Sequence, residues 1–170
     1  MRYPGETAAG PRGCGLLPVA GPKPRILILG SFPSRLSLAH ARYYGNPRNH
    51  FWAVMEALFA IDPALPYEER IPALKTHGIA LWDVVASCSR PGSADARING
   101  PAFNDIAGFA AAHPTLRLVA LNGKTAGRYY ARIAGAVPIP YLVLPSTSPA
   151  HAGMSVAEKI RQWSAILQES

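Results

Sequence analysis

Four short apolar runs, each closed by a loop of small, polar or Gly/Pro-rich residues, constrain this chain more than any other feature. They are Arg25-Ile-Leu-Ile-Leu-Gly30, Ile79-Ala-Leu-Trp-Asp-Val-Val85, Leu116-Arg-Leu-Val-Ala-Leu121 and Tyr141-Leu-Val-Leu144. Unbroken apolar runs of this kind suit strands covered on both faces, as in a parallel sheet. Between them lie segments with helical spacing. Phe51–Phe59 and Tyr67–Thr76 come first, then Ile106–Ala112 behind the capping pair Asn104-Asp105, and Lys124–Ile133 behind Asn122-Gly123. Ser155–Leu167 opens with Ser155 and Glu158 at capping-box spacing.

Strand and helix alternate, and the connections are long enough for right-handed crossovers. The expected fold is α/β: a three-layer α/β/α sandwich around a mostly parallel sheet of about four strands. Residues 1–24 hold five Gly and five Pro with no apolar period and read as irregular. The domain expectation is an irregular lead-in over 1–15 and a single domain over 16–170. In open parallel sheets, ligands bind outside the carboxyl ends of the strands. The four strand exits, Gly30-Ser31-Phe32-Pro33, Ser87 to Gly92, Asn122-Gly123-Lys124 and Pro145 to Pro149, therefore mark the expected site.

Charge adds a second constraint. The chain carries 17 Lys+Arg against 10 Asp+Glu, a formal charge of +7. No acid falls between Glu6 and Glu56, or between Asp105 and Glu158, while ten basic residues fall inside those two stretches. If the stretches meet in space, they make a surface that attracts polyanions. The excess is equally open to a compositional origin, since 13 of the 17 are Arg.

Several classes are disfavoured. Gly30-Ser31-Phe32-Pro33-Ser34 matches neither GxGxxG nor a Walker loop, and no GxSxG occurs. The five histidines, at 40, 50, 77, 113 and 151, show no metal-ligand spacing. Cys14 and Cys88 form no CxxC pair, and they read as reduced thiols. There is no apolar run of membrane-spanning length and no signal-peptide core at the N-terminus. The expectation is a cytoplasmic monomer with no membrane contact, no metal and no cofactor.

The most unusual segment runs from Gly30-Ser-Phe-Pro-Ser-Arg-Leu-Ser-Leu38 to Tyr43-Tyr-Gly-Asn-Pro-Arg-Asn-His-Phe-Trp52. It gathers rings, amides and arginines between a strand and a helix. Rings and amides suit a flat base, and arginines suit phosphates. On composition alone, core packing is the simpler reading of Phe51 and Trp52.

This segment resembles the first motif region of the uracil-DNA glycosylase superfamily, in particular its DNA-deoxyinosine (hypoxanthine) glycosylase branch. The similarity continues through Gly78-Ile-Ala-Leu-Trp-Asp-Val-Val85, Cys88 to Ile98, Phe103-Asn-Asp-Ile106, Leu121-Asn-Gly-Lys124 and Leu144 to Ala150. It covers about residues 16–168. Two positions depart from relatives. Phe32 stands where many superfamily members carry an acid or amide that positions water, and His151 stands where the branch usually has Asn.

The resemblance implies excision of a deaminated base from double- or single-stranded DNA, after the base has been flipped out of the stack. It makes Asn49 the water-positioning or base-contacting amide, with Tyr44 the ring that stacks on the base. Tyr43 is open to a core role. Ser31 and Phe32 are expected to line the pocket. Ser146, Thr147 and Ser148 are expected to grip phosphates, with Pro149, Ala150 and His151 approaching the gap left in the stack. Arg48 and Arg90 are phosphate candidates. Asp83 is either an aid to water activation or a structural hydrogen-bonding group, and it and Asp95 are the acids closest to the expected DNA face. Hypoxanthine is the expected base. The alternatives are uracil or mismatched thymine on the same fold, or a non-catalytic nucleic-acid or nucleotide-binding module.

Overall fold

The computed structural model describes residues 12–169. In chain order the first half comprises β1 (Arg12–Cys14), β2 (Ile26–Gly30), α1 (Arg35–His40), α2 (Phe51–Phe59), α3 (Tyr67–Thr76) and β3 (Ile79–Asp83). The second half comprises β4 (Val85–Ser89), β5 (Asn99–Phe103), α4 (Ile106–Ala112), β6 (Leu118–Asn122), α5 (Lys124–Ala131), β7 (Tyr141–Leu144) and α6 (Val156–Trp163).

The main sheet has the order β3-β2-β6-β7, and every pairing in it is parallel. Because successive side chains alternate across a strand, β2 feeds two cores. Ile26 and Ile28 pack toward Phe51, Met55, Leu74 and Trp163, from α2, α3 and α6. Leu27 and Leu29 pack toward Ile106, Phe109, Ala126 and Tyr130, from α4 and α5. All four are fully buried. The result is the expected three-layer α/β/α sandwich on a four-stranded parallel sheet.

A second sheet departs from expectation. β1, β4 and β5 form an antiparallel three-stranded sheet beside the main one. The run expected to end at Val85 instead breaks at Val84, where the chain leaves β3 and starts β4. Arg12–Cys14, expected to be irregular, pairs with Ser87–Ser89, and Val19 bridges to Leu81. The rest of the expected lead-in, residues 1–11, lies outside the described residues.

Helix starts follow their local chemistry. Asp105 accepts from the Gly108 amide at 2.8 Å, and Ser155 accepts from the Glu158 amide at 3.1 Å. Glu158 does not complete the reciprocal box, because its carboxylate is held by Arg161 and Gln162.

Candidate active site

Parallel strands bring all their carboxyl ends to one side, and a cavity of about 270 Å³ opens there. Gly30, Asp83 and Asn122 are the final residues of β2, β3 and β6, and each forms part of its wall. Ser31, Phe32 and Tyr44 line it from one side, and Ser146, Ser148 and His151 from another. Glycine at position 30 is required by the packing: a Cβ there would come within 2.5 Å of the Asp83 carboxyl.

Asn49 lines this cavity. Its side-chain carbonyl accepts from the Phe51 amide at 2.9 Å, a local turn that fixes the amide where α2 begins. The Asn49 backbone amide donates to Asn46 at 2.9 Å, so both ends of the residue are anchored.

Tyr43 and Tyr44 both contribute to the cavity wall, but they are held differently. Tyr43 is a core residue, 5% exposed, and its hydroxyl donates to the Leu17 carbonyl at 2.6 Å. Tyr44 lines the cavity, with its ring stacked on Phe51 at 3.8 Å between centroids. Its hydroxyl accepts from the Asn122 side chain at 3.2 Å, and burial holds its proton well above the usual phenol range. Phe32 is largely buried beside Val85 and Cys88 while still contributing to the wall.

The phosphate candidates divide into four groups. Arg48 is exposed on the loop beside Asn49. Ser146 and Ser148 are half-buried in the cavity wall, whereas Pro149 is not part of that wall. Thr147 is fully buried, with its amide and hydroxyl both bound to Asn122, so its hydroxyl is committed internally. Arg90 departs from its expected role: its side chain is 3% exposed. Its guanidinium donates to the Pro33 carbonyl, sits over the Phe32 ring at 4.9 Å and faces Asp95 at 4.0 Å. A cation so enclosed braces the pocket loop and is not presented to solvent.

Three contributors escaped the sequence reading as site residues. Asn122 is a strand-end amide whose importance lies in contacts 25 and 78 residues away along the chain. Asp95 accepts from the Ser31 hydroxyl at 2.7 Å and lines the cavity. Lys159 is fully buried despite its charge. Its ammonium donates to the His151 carbonyl at 3.0 Å and lies 3.3 Å from His50 Nδ1, tying the final loop to the start of α2.

The titratable groups respond to this enclosure. Burial, and then the nearby Asp95, push the Asp83 carboxyl up to about 7, while Arg90 opposes the shift. Burial raises Asp95 too, but Ser31, Arg90 and Arg128 favour its charged form. His50 is held below its ordinary value by burial and by Lys159.

The chain is thus a parallel α/β sandwich with a small cavity at its strand ends, walled by rings, amides and carboxyls. The chain matches the family model described as "Uracil DNA glycosylase superfamily" over residues 17–167, and it belongs to that superfamily. It is 38% identical over 144 residues to a hypoxanthine DNA glycosylase of Methanosarcina acetivorans, covering 84% of this chain and 90% of that one. It is 37% identical over 116 residues to a hypoxanthine DNA glycosylase of Methanosarcina barkeri, covering 68% of this chain and 73% of the relative. A solution NMR structure from Methanosarcina acetivorans, provisionally described as a uracil DNA glycosylase, superposes with a TM-score of 0.82 at 35% identity. That match covers 92% of this chain and 97% of the other.

Proposed function

We propose that this chain is a monofunctional DNA glycosylase that hydrolytically excises hypoxanthine from deoxyinosine-containing DNA as a step of base excision repair. The observation that carries this reading is the cavity, which combines Asn49, the Tyr44 ring and Phe32 in one space of about 270 Å³. That is below the usual range of roughly 300–1,000 Å³ for ligand pockets and suits a single base better than a whole nucleotide. The relatives named for hypoxanthine support the choice of base.

In this reading the target nucleotide leaves the duplex and its base enters the cavity, because the reacting atoms are unreachable within the stack. Tyr44 stacks on the base, and the Ser31 backbone and Phe32 close the side. Hypoxanthine presents a carbonyl acceptor beside an N–H donor, and adenine reverses that pattern. A pocket group left unpaired by the wrong base costs about 1–3 kcal/mol, which gives the selection. Asn49 places the water that attacks C1′ as the bond to N9 breaks, or else contacts the base itself.

The exposed Arg35 and Lys124 open α1 and α5, and the exposed Arg48 lies on the loop before α2. They support a DNA-facing edge, with the half-buried Ser146 and Ser148 nearest the lesion's phosphates and His151 at the gap in the stack. In this reading the described residues, β1 included, act as one domain, and the enzyme works as a cytoplasmic monomer.

The test is a set of labelled duplexes carrying inosine, uracil, xanthine or mismatched thymine, heated in alkali after incubation. Strand breakage at inosine is the expected result. Breakage confined to uracil or thymine reassigns the base, and binding without breakage removes the enzymatic reading.

A further inference from the structure

Asp83 ends β3 with its carboxyl pressed over the Gly30 backbone. It is 5% exposed, lines the cavity, and its Oδ2 is buried with no hydrogen-bond partner. The groups that face it are Asp95 from the turn after β4, Arg90 from the end of β4, and Tyr43 and Tyr44 from the segment before α2. Asp95 is in a different situation. It accepts from Ser31, lies 4.0 Å from Arg90, and its side chain is 42% exposed. Where two carboxyls share a site, the one with a hydroxyl donor and a cation keeps its charge, and the enclosed one with an orphan oxygen takes the proton.

We propose that Asp83 is the general acid for the departing purine and that Asp95 is the fixed negative charge that keeps it protonated. The inference rests on the reading of the chain as a hypoxanthine-excising enzyme, and it gives Asp83 the opposite role to water activation. N7 is the most basic free nitrogen of a hypoxanthine joined to sugar through N9. The Asp83 O–H gives its proton to N7. The C1′–N9 bond breaks with its electron pair moving into the ring, and the base departs neutral. Water adds to C1′, its spare proton passes to solvent, and the Asp83 carboxylate regains a proton from solvent. Deoxyinosine and water thus become free hypoxanthine and an abasic sugar. A pyrimidine has no N7, so this acid favours a purine.

The test is single-turnover cleavage of a deoxyinosine duplex from pH 5 to pH 9 by wild type, Asp83→Asn and Asp95→Asn. Wild-type rates are expected to fall about tenfold per pH unit above the point at which Asp83 ionises. Asp83→Asn should be at least about 100-fold slower at pH 6, within the range of general acid catalysis, and should lose that limb. Asp95→Asn should move the limb to lower pH, a readout that stands even if the first variant fails to fold. An alkaline limb that persists in Asp83→Asn overturns the acid role, and a limb that Asp95→Asn leaves in place overturns the part given to Asp95; both leave hypoxanthine excision intact. A wild-type enzyme that cleaves at no pH overturns the function and this inference together.

Discussion

Asn122 grips Thr147 at two points: its Nδ2 donates to the Thr147 hydroxyl at 2.9 Å, and its Oδ1 accepts from the Thr147 amide at 2.9 Å. The same Nδ2 reaches the Tyr44 hydroxyl at 3.2 Å. One side chain at the end of β6 therefore registers the loop after β7 and the stacking ring against each other. Gly123 permits the close approach, with φ at 102° and a Cβ position only 3.0 Å from Ser146.

Asn122→Ala leaves a buried amide and a buried hydroxyl without partners. The expected loss of stability is about 1–3 kcal/mol for each such group that water does not reach. Urea denaturation measures it, and single-turnover cleavage should fall in parallel as the two loops lose their common anchor. Unchanged stability would mean that the grip contributes nothing net to the fold.

Asn49→Ala separates chemistry from architecture. The variant gives up one side-chain-to-backbone hydrogen bond in the turn before α2, about 1 kcal/mol, so it should remain folded. Its cleavage of a deoxyinosine duplex should fall by about 100-fold or more, the usual consequence of losing a positioned polar group at a reacting centre. Wild-type single-turnover rates would remove Asn49 from the reaction.

The main sheet and α2 to α6 were legible because each is announced locally, whereas α1 falls inside the segment read as a loop between β2 and α2. The continuous apolar run of β2 and the helical spacing of α2 and α3 need no distant partner to be read. The second sheet was not legible: β4 reads VASCS and β5 reads NGPAF, with neither alternation nor apolar continuity. β5 pairs with β4, and the other edge of β4 pairs with Arg12–Cys14, more than 70 residues away. The same holds within the site. Asn49 is expected from the resemblance of its Pro-Arg-Asn motif, and the structure puts it in the cavity wall, whereas the burial of Arg90 depends on Pro33 and Phe32, and that of Lys159 on His50 and His151. A lysine on an amphipathic helix gives no local sign that its ammonium will be enclosed.

Lys159 and His50 make stability sensitive to acid. The folded state holds His50 below 6.5, so between that lowered value and 6.5 the unfolded chain binds more protons. Stability from this residue is present above 6.5 and is lost as pH falls through the folded value. Lys159→Met removes the part of the shift due to charge and leaves the part due to burial. The drop in stability between pH 7 and pH 5, measured by urea denaturation, should be smaller in the variant. An identical drop would show that the two side chains do not sense each other.

Arg48 is exposed and adjacent to Asn49, so its role should appear in DNA affinity and leave the bond-breaking step alone. Arg48→Ala should weaken binding to inosine-containing and undamaged duplexes alike. The slope of log affinity against log salt should become shallower by about one, as expected for the loss of one phosphate contact. Saturated single-turnover rates should be retained. A variant that binds normally but cleaves slowly would move Arg48 into the reaction itself.

Asp83 should reduce stability at the pH where the enzyme works. Its folded value of about 7 lies above its ordinary 3.8, so between these two values the folded state binds the proton more tightly than the unfolded chain. The stabilisation is complete below 3.8 and is lost as pH rises through about 7, where a charge must be held in a buried site. Asp83→Asn cannot ionise and escapes that loss. At one pKa unit per 1.36 kcal/mol the limit is on the order of 4 kcal/mol, and water or local rearrangement at the cavity lowers it. The variant should therefore be more stable than wild type at pH 8, with the gap narrowing toward pH 5 and nearly closed by pH 4. Denaturation curves at the three pH values decide it. A gap that does not change with pH would show that Asp83 is already charged in the folded protein and meets no penalty for it.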